Sequence, residues 1–327
     1  MITLSQIQRP IAESIKEFDE FVARQFETEN DLIGTMLVDA LSSRGKGVRP
    51  LLVMLSAALV SSSGYVSKRA HIAAMMVEMI HLSSLIHDDV IDEAATRRGK
   101  PSLNAKWQSR RAVLVGDYIL AKNLSIGMAS GQYDLVNHIV GAIAILCEGE
   151  FIQDDCARRH AMTREEYLSI IAKKTASLIS ISTSVGAKAG GGTPEQIEKM
   201  REFGRALGMA FQIQDDILDY TPSSNSGKST YQDLVEGKIT LPLLILLERA
   251  SDEQRTTILE LVGDAADNEE ARAKIVHFVD ENDGVGLATI VMRQYIDRAL
   301  SILGEFGESE YRSALVDMCA FVSERDR

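Results

Sequence analysis

Cysteine is scarce in this chain, and its three copies, Cys147, Cys156 and Cys319, fall at unrelated spacings. That excludes a disulfide framework or a cysteine zinc site and points to a reducing, cytoplasmic setting. Proline is nearly as sparse, with 6 in 327 residues, and aromatic residues make up only 6%. Few aromatics and few β-branched runs argue against a sheet-rich fold. Long uninterrupted apolar runs are missing as well. The longest, Leu51–Val60 and Leu241–Leu247, reach half a membrane span or less, so the expectation is a soluble protein with no transmembrane segment. The opening residues, Met1 to Gln6, carry neither the basic nor the apolar region of a secretory leader. Positive charge is in deficit, leaving a net −12. Such a surface does not attract nucleic acid, and any anionic substrate must be met by local cations, either bound metal or clustered Lys and Arg.

What the chain has in quantity is apolar sequence of helical length. Leu51–Leu59, Arg69–Ile86, Ala112–Met128, Leu135–Cys147, Tyr167–Ala189 and Ile197–Leu218 are the clearest stretches. Ser or Thr followed three residues later by Gln or Glu marks helix starts at Thr3, Thr163, Thr193 and Ser251, with Pro194 at a first helical position. The run from Ala142 to Leu146 is apolar all round, which predicts burial inside a large bundle. No linker or fixed-period repeat divides the chain. The expectation is an all-α, single-domain bundle spanning residues 1–327, with about ten core helices. The Ser- and Gly-containing stretch Thr221–Thr230 is a candidate lid.

Two segments concentrate carboxylates: Asp88-Asp89-x-x-Asp92 and Asp215-Asp216-x-x-Asp219, each closing a long apolar helix. Residues four apart share a helix face, so Asp88 and Asp92 align, as do Asp215 and Asp219. Three acids at a helix C-terminus repel one another and oppose the helix dipole. One such cluster reads as a solvated acidic helix end. Two, both abutting apolar runs, predict a pair of Mg²⁺ sites facing a shared diphosphate, because Mg²⁺ takes one or two carboxylates and completes its shell with water and phosphate. Basic residues stand close by in sequence: Lys46 and Arg49 in Gly45-Lys46-Gly47-Val48-Arg49, then Arg97 and Arg98, Lys173 and Lys174, Lys228 and Lys238. Each alone is an ordinary surface charge. Together they are the concentrated cations that an acidic protein with an anionic substrate requires.

At these residues the sequence resembles the polyprenyl (trans-isoprenyl) diphosphate synthase family. The first aspartate motif of that family matches Leu85–Pro101 and the second matches Gly208–Asp219. The resemblance implies an all-α isoprenoid synthase fold around a deep central cavity, usually as a homodimer, a state that the broadly apolar Ala112–Met128 also suggests. It implies that Asp88, Asp89, Asp92, Asp215 and Asp219 hold three Mg²⁺ on an allylic diphosphate. Arg97, Lys174, Lys228 and Lys238 would contact that diphosphate. Lys46, Arg49, His81 and Arg98 would hold isopentenyl diphosphate, and Thr175 and Gln212 would lie near the developing allylic cation. The chain departs from the family pattern at Ala95, where an acid is usual, and at Gly47, where a second basic residue is often found. His87 reads as an ordinary helix residue.

The implied reaction is ionisation, condensation and elimination. A class I terpene cyclase shares the first motif but usually carries a mixed Asn/Ser/Glu pattern at the second, which is intact here. A non-catalytic synthase subunit should have lost acids or basic residues, and this chain keeps them. Product length is read at Ser83, five residues before Asp88 and roughly 7.5 Å deeper along the helix. Short-chain farnesyl or geranylgeranyl synthases of the family often place an aromatic there. The small Ser83, with Met75, Met76, Met79 and Ile80 beyond it, predicts a long product. The competing reading makes Ser83 and Ser84 small residues for close helix packing.

Overall fold

The structure is a computed structural model that describes residues 2–159, 161–221 and 231–325. Among these residues the only strands form a two-stranded antiparallel hairpin, Thr96–Arg97 paired with Lys100–Pro101. All four capping boxes form: Thr3 with Gln6, Thr163 with Glu166, Thr193 with Gln196 and Ser251 with Gln254. Each supplies partners to amides that a helix start leaves open. Buried apolar side chains run in one continuous cluster from Ile7 to Val322.

Two long helices carry the aspartates. The first, Lys68–Ile91, is buried at every residue from Ala70 to Ile80. It packs against Val48–Val60, Ser109–Ala129 and Ser177–Ala189, which leaves the Ala70–Ile80 stretch no face to water. The second, Pro194–Asp219, lies against Ser177–Ala189 on one side and Gly284–Leu303 on the other. Glycine sets the close approach. A Cβ on Gly208 would sit 2.5 Å from Cα of Ala176, and one on Gly186 would sit 2.3 Å from the Val53 carbonyl oxygen.

Three expectations need correction. The stretch Tyr167–Ala189 is not one helix: Arg164–Ile171 leads into a π-helical turn, Ala172–Ala176, and then Ser177–Ala189. Likewise Leu135–Cys147 is divided between Tyr133–Ile139 and Gly141–Arg159. Second, the Ala142–Leu146 run is not buried throughout, since Ile145 is 36% exposed. Its outer side joins Val113, Leu114, Met128, Tyr133 and Phe151 in leaving apolar surface uncovered. Third, counting uninterrupted apolar runs understated the helices. Lys68–Ile91 and Ser109–Ala129, and the stretch Tyr133–Arg159 made of the two helices just described, are each long and apolar enough to cross a membrane by length and composition. Neighbouring helices bury 78% of the first one's apolar window, against 33% and 28% for the other two.

Candidate active site

The first aspartate helix ends at Asp92, whose amide still donates to the Asp88 carbonyl at 2.8 Å, so Asp88 and Asp92 stand one turn apart on one side. Burial pushes the Asp88 carboxyl up to about 6, with Lys174 opposing and Glu150 and Asp92 reinforcing the rise. Asp92 is raised too, first by burial, against the pull of Lys238. Asp89 turns inward instead. It is 3% exposed, and Nε and Nη2 of Arg97 both lie 2.7 Å from its Oδ1. Arg97 therefore engages the acid cluster directly.

Lys173, Lys174 and Thr175 ride on the π-helical turn, a local widening that often marks functional positions. Gly149 lets the neighbouring helix approach this turn, because a Cβ there would meet Lys174 Cγ at 2.7 Å. Lys174 pairs with Glu150 and donates to Gln153 at 3.2 Å. Lys173 turns to Glu148 at 2.6 Å. Lys238 pairs with Glu236 and feels Asp92 and Asp233. Lys174 and Lys238 thus stand among acids from both ends of the chain's motif set. Lys228 and nearly all of the candidate lid lie outside the described residues.

At the second cluster the three aspartates divide their work. The Asp215 carboxylate lies 2.7 Å from Nη2 of Arg325, whose guanidinium also stacks 4.0 Å from the Phe211 ring centre. Asp219 accepts from the backbone amides of Gln232 and Asp233 at 3.1 and 3.0 Å, drawing the short helix Gln232–Val235 to the cluster. Asp216 points into the core, where Tyr167 donates to Oδ2 at 2.6 Å and Gln212 donates to Oδ1 at 2.9 Å. Thr175 donates to Oε1 of Gln212 at 2.7 Å, which brings these two residues into contact.

The basic loop forms a second focus. Gly47, at φ +64°, starts the helix Val48–Val60 in the left-handed region, which explains glycine where the family often has a basic residue. Arg49 keeps a buried Nε without a hydrogen-bond partner among the described residues. Burial lowers the Arg49 guanidinium to about 10, with Glu78 pulling the other way, so it is charged at neutral pH. His81 is held well below its ordinary value by burial, then by Arg49, Arg98 and Arg97. Arg98 donates to the Ser43 carbonyl at 2.8 Å and lies against Gly45, where a Cβ would meet it at 2.4 Å. Lys46 lines a cavity of about 250 Å³ together with Arg44, Asp19 and the buried Glu78. Ser83 is buried, its hydroxyl donating to the Gly116 carbonyl at 2.9 Å. His87 packs over Gly116, within 3.4 Å of Asp117.

Tyr167, Asp233, Glu78 and Arg325 were not found from the sequence. Tyr167 stands seven residues before Lys174, a spacing that carries no signal across a π-helical turn. Arg325 reaches Asp215 across 110 positions, beyond any local pattern.

The Polyprenyl synthetase family matches residues 30–279. This chain belongs to that family. It is 33% identical over 317 residues to a heptaprenyl diphosphate synthase component 2 of Geobacillus stearothermophilus, covering 97% of each chain. It is 34% identical over 291 residues to a short chain isoprenyl diphosphate synthase of Methanothermobacter thermautotrophicus, covering 88% of each. Among solved structures, a decaprenyl diphosphate synthase from Rhodobacter capsulatus superposes with a TM-score of 0.91 at 30% identity, covering 99% of both chains. The fold is therefore that of the isoprenyl diphosphate synthases, and the chain is a prenyl transferase.

Among the described residues no three acids, histidines or cysteines close round a metal on their own. Mg²⁺ takes one or two carboxylates and completes its shell with water and substrate phosphate. The exposed Asp92 and half-exposed Asp88 and Asp215 supply such oxygens, and the donor set fits Mg²⁺.

Proposed function

We propose that this polyprenyl synthetase family member condenses isopentenyl diphosphate with an allylic diphosphate in a Mg²⁺-dependent reaction and releases long polyprenyl diphosphates. The observation that carries this reading is the gathering of Lys174 and Lys238 among Asp88, Asp92 and Asp233, beside a separate basic focus at Arg49, His81 and Arg98. Two anionic substrates require two such places.

Asp88, Asp89, Asp92, Asp215 and Asp219 would hold the Mg²⁺, three ions by resemblance to the family. When bound, Mg²⁺ neutralises charge that grows on the leaving diphosphate. Lys174, Lys238 and Lys228 hold the same group, which departs with the electron pair of the broken C–O bond. The orphaned Nε of Arg49 waits for an acceptor, which a phosphate oxygen of isopentenyl diphosphate supplies. Lys46 and Arg98 add charge there, and neutral His81 adds one N–H. Thr175 and Gln212 face the carbon that becomes cationic, and the apolar walls exclude water. The double bond of isopentenyl diphosphate attacks that carbon, and the released diphosphate takes the proton then lost.

Ser83 sets product length in this reading. From Ser83 to Met75 the helix runs about 12 Å, and its flexible methionines seal a tunnel poorly, which favours about thirty carbons or more. The names of the heptaprenyl and decaprenyl relatives support a long product. The Gly116 contact shows that Ser83 also serves helix packing, so a second variant is needed to separate the roles.

Mass spectrometry of the products with several primers is the test. Chelation should abolish turnover and Mg²⁺ restore it. Wild type and Ser83→Ala should give long polyprenyl diphosphates, and Ser83→Phe much shorter ones. Full turnover in EDTA would sink the mechanism, and a wild-type product of fifteen carbons would sink the length assignment.

A further inference from the structure

We propose that Tyr167 is a positioning residue for prenyl transfer, holding Gln212 in one amide orientation through the Asp216 carboxylate. This rests on the functional reading above, since it takes Gln212 to face the allylic carbon.

Asp216 lies within the second aspartate motif yet has only core neighbours in its hydrogen bonding. It is 3% exposed, as is Tyr167. One carboxylate oxygen accepts from the Tyr167 hydroxyl at 2.6 Å and the other from Nε2 of Gln212 at 2.9 Å. Gln212 in turn receives Thr175 on Oε1 at 2.7 Å. A primary amide can turn over and exchange its oxygen and nitrogen. The Thr175 hydroxyl does not prevent this, because a hydroxyl both donates and accepts. Asp216 does, because both of its oxygens already accept, one from the Tyr167 hydroxyl and the other from Nε2 of Gln212, so the amide nitrogen has its partner on that side. Asp216 therefore decides which end of the Gln212 amide is presented, and Tyr167 fixes Asp216.

The direction matters for chemistry. Presented by its oxygen, the amide turns its negative end to a growing carbocation. Turned over, it presents N–H groups of the same sign as the developing charge. Gly208, one turn before Gln212, seats the helix against Ala176 beside Thr175. Tyr167 lies on the helix that enters the π-helical turn, so one short segment supplies both the anchor and Thr175.

Calorimetry with two primer analogues tests the inference on the intact, Mg²⁺-loaded protein. One analogue carries an ammonium nitrogen where the cation develops; the other is its uncharged carbon isostere. Wild type should prefer the ammonium analogue. Tyr167→Phe should cut that preference by about tenfold while binding of the neutral isostere stays within about twofold. The kcat should fall by about ten- to a hundredfold with both KM values little changed. In a Gln212→Ala background Tyr167→Phe should add no further loss of preference. Should Tyr167→Phe not fold, Asp216→Asn makes the same test, because an amide there accepts either orientation of Gln212. Equal loss for both analogues, an additive effect in the Gln212→Ala background, or a wild type without preference would overturn the inference. A wild type that keeps the preference but transfers no prenyl group would overturn the functional reading alone.

Discussion

Arg49 shows how a single residue is prepared for an anion. Its guanidinium is drawn into the protein at the start of Val48–Val60, faces the buried Glu78, and leaves Nε without a partner among the described residues. An unpaired buried donor costs free energy until something accepts from it, and on the proposed reading a phosphate oxygen does so. Arg49→Ala should raise KM for isopentenyl diphosphate about tenfold or more, the loss of one charge-assisted contact worth about 1.5–3 kcal/mol, and leave KM for the primer nearly unchanged. Initial-rate kinetics with each substrate varied in turn would show it. Equal effects on both KM values would assign Arg49 to shared architecture instead. Arg325 makes the complementary point at Asp215: a carboxylate with a cation beside it is stable while no substrate is present.

At the scale of elements, the decisive contacts are between backbones. The second aspartate helix reaches Thr175 only because Gly204 and Gly208 let it settle on Ser177–Ala189 and on the π-helical turn. Gly208→Ala should destabilise the fold by about 1–3 kcal/mol through overpacking and should part Thr175 from Gln212. Urea unfolding would measure the first effect, and turnover of the still-folded fraction the second. Much of this layer was legible in the sequence. The capping boxes at Thr163, Thr193 and Ser251 sit where spacing placed them, because capping is a local rule. The aspartate motifs were legible for the same reason. The π-helical turn was not, since the residues Ala172–Ala176 have no composition that distinguishes i→i+5 from i→i+4 bonding. Nor was the division of labour within Asp215, Asp216 and Asp219, which depends on Arg325, Tyr167 and the backbone of Gln232 and Asp233 arriving from elsewhere.

For the whole molecule, the uncovered apolar side is the main unfinished business. Leu114 is 59% exposed, Met128 51% and Phe151 76%, all on or beside the two helices that are apolar enough for a membrane yet poorly covered. Large exposed apolar side chains gathered on two helices are commonly covered by a partner. A homodimer is the expected occupant, and light scattering at micromolar concentration should give twice the 35.9 kDa chain mass. Leu114→Glu should shift the mass toward the monomer. A monomer in the wild type, with mass gained only on adding a different protein, would favour an assembly of unlike subunits. The expectation that Ala142–Leu146 is buried fails because an apolar run in the sequence does not say which of its residues reach the surface.

The small hairpin joins these scales. Arg97 and Arg98 are consecutive, yet one engages Asp89 and the other reaches Ser43 beside Gly45. The divergence is made by a turn in which Arg98 and Gly99 both take positive φ, +53° and +74°. For arginine that conformation costs about 1–2 kcal/mol. The carboxylate half and the basic half of the molecule are therefore geared to each other through a single peptide link. One inserted residue between the two arginines would disengage the gear, because it would turn one of them away from its half while leaving every helix in place.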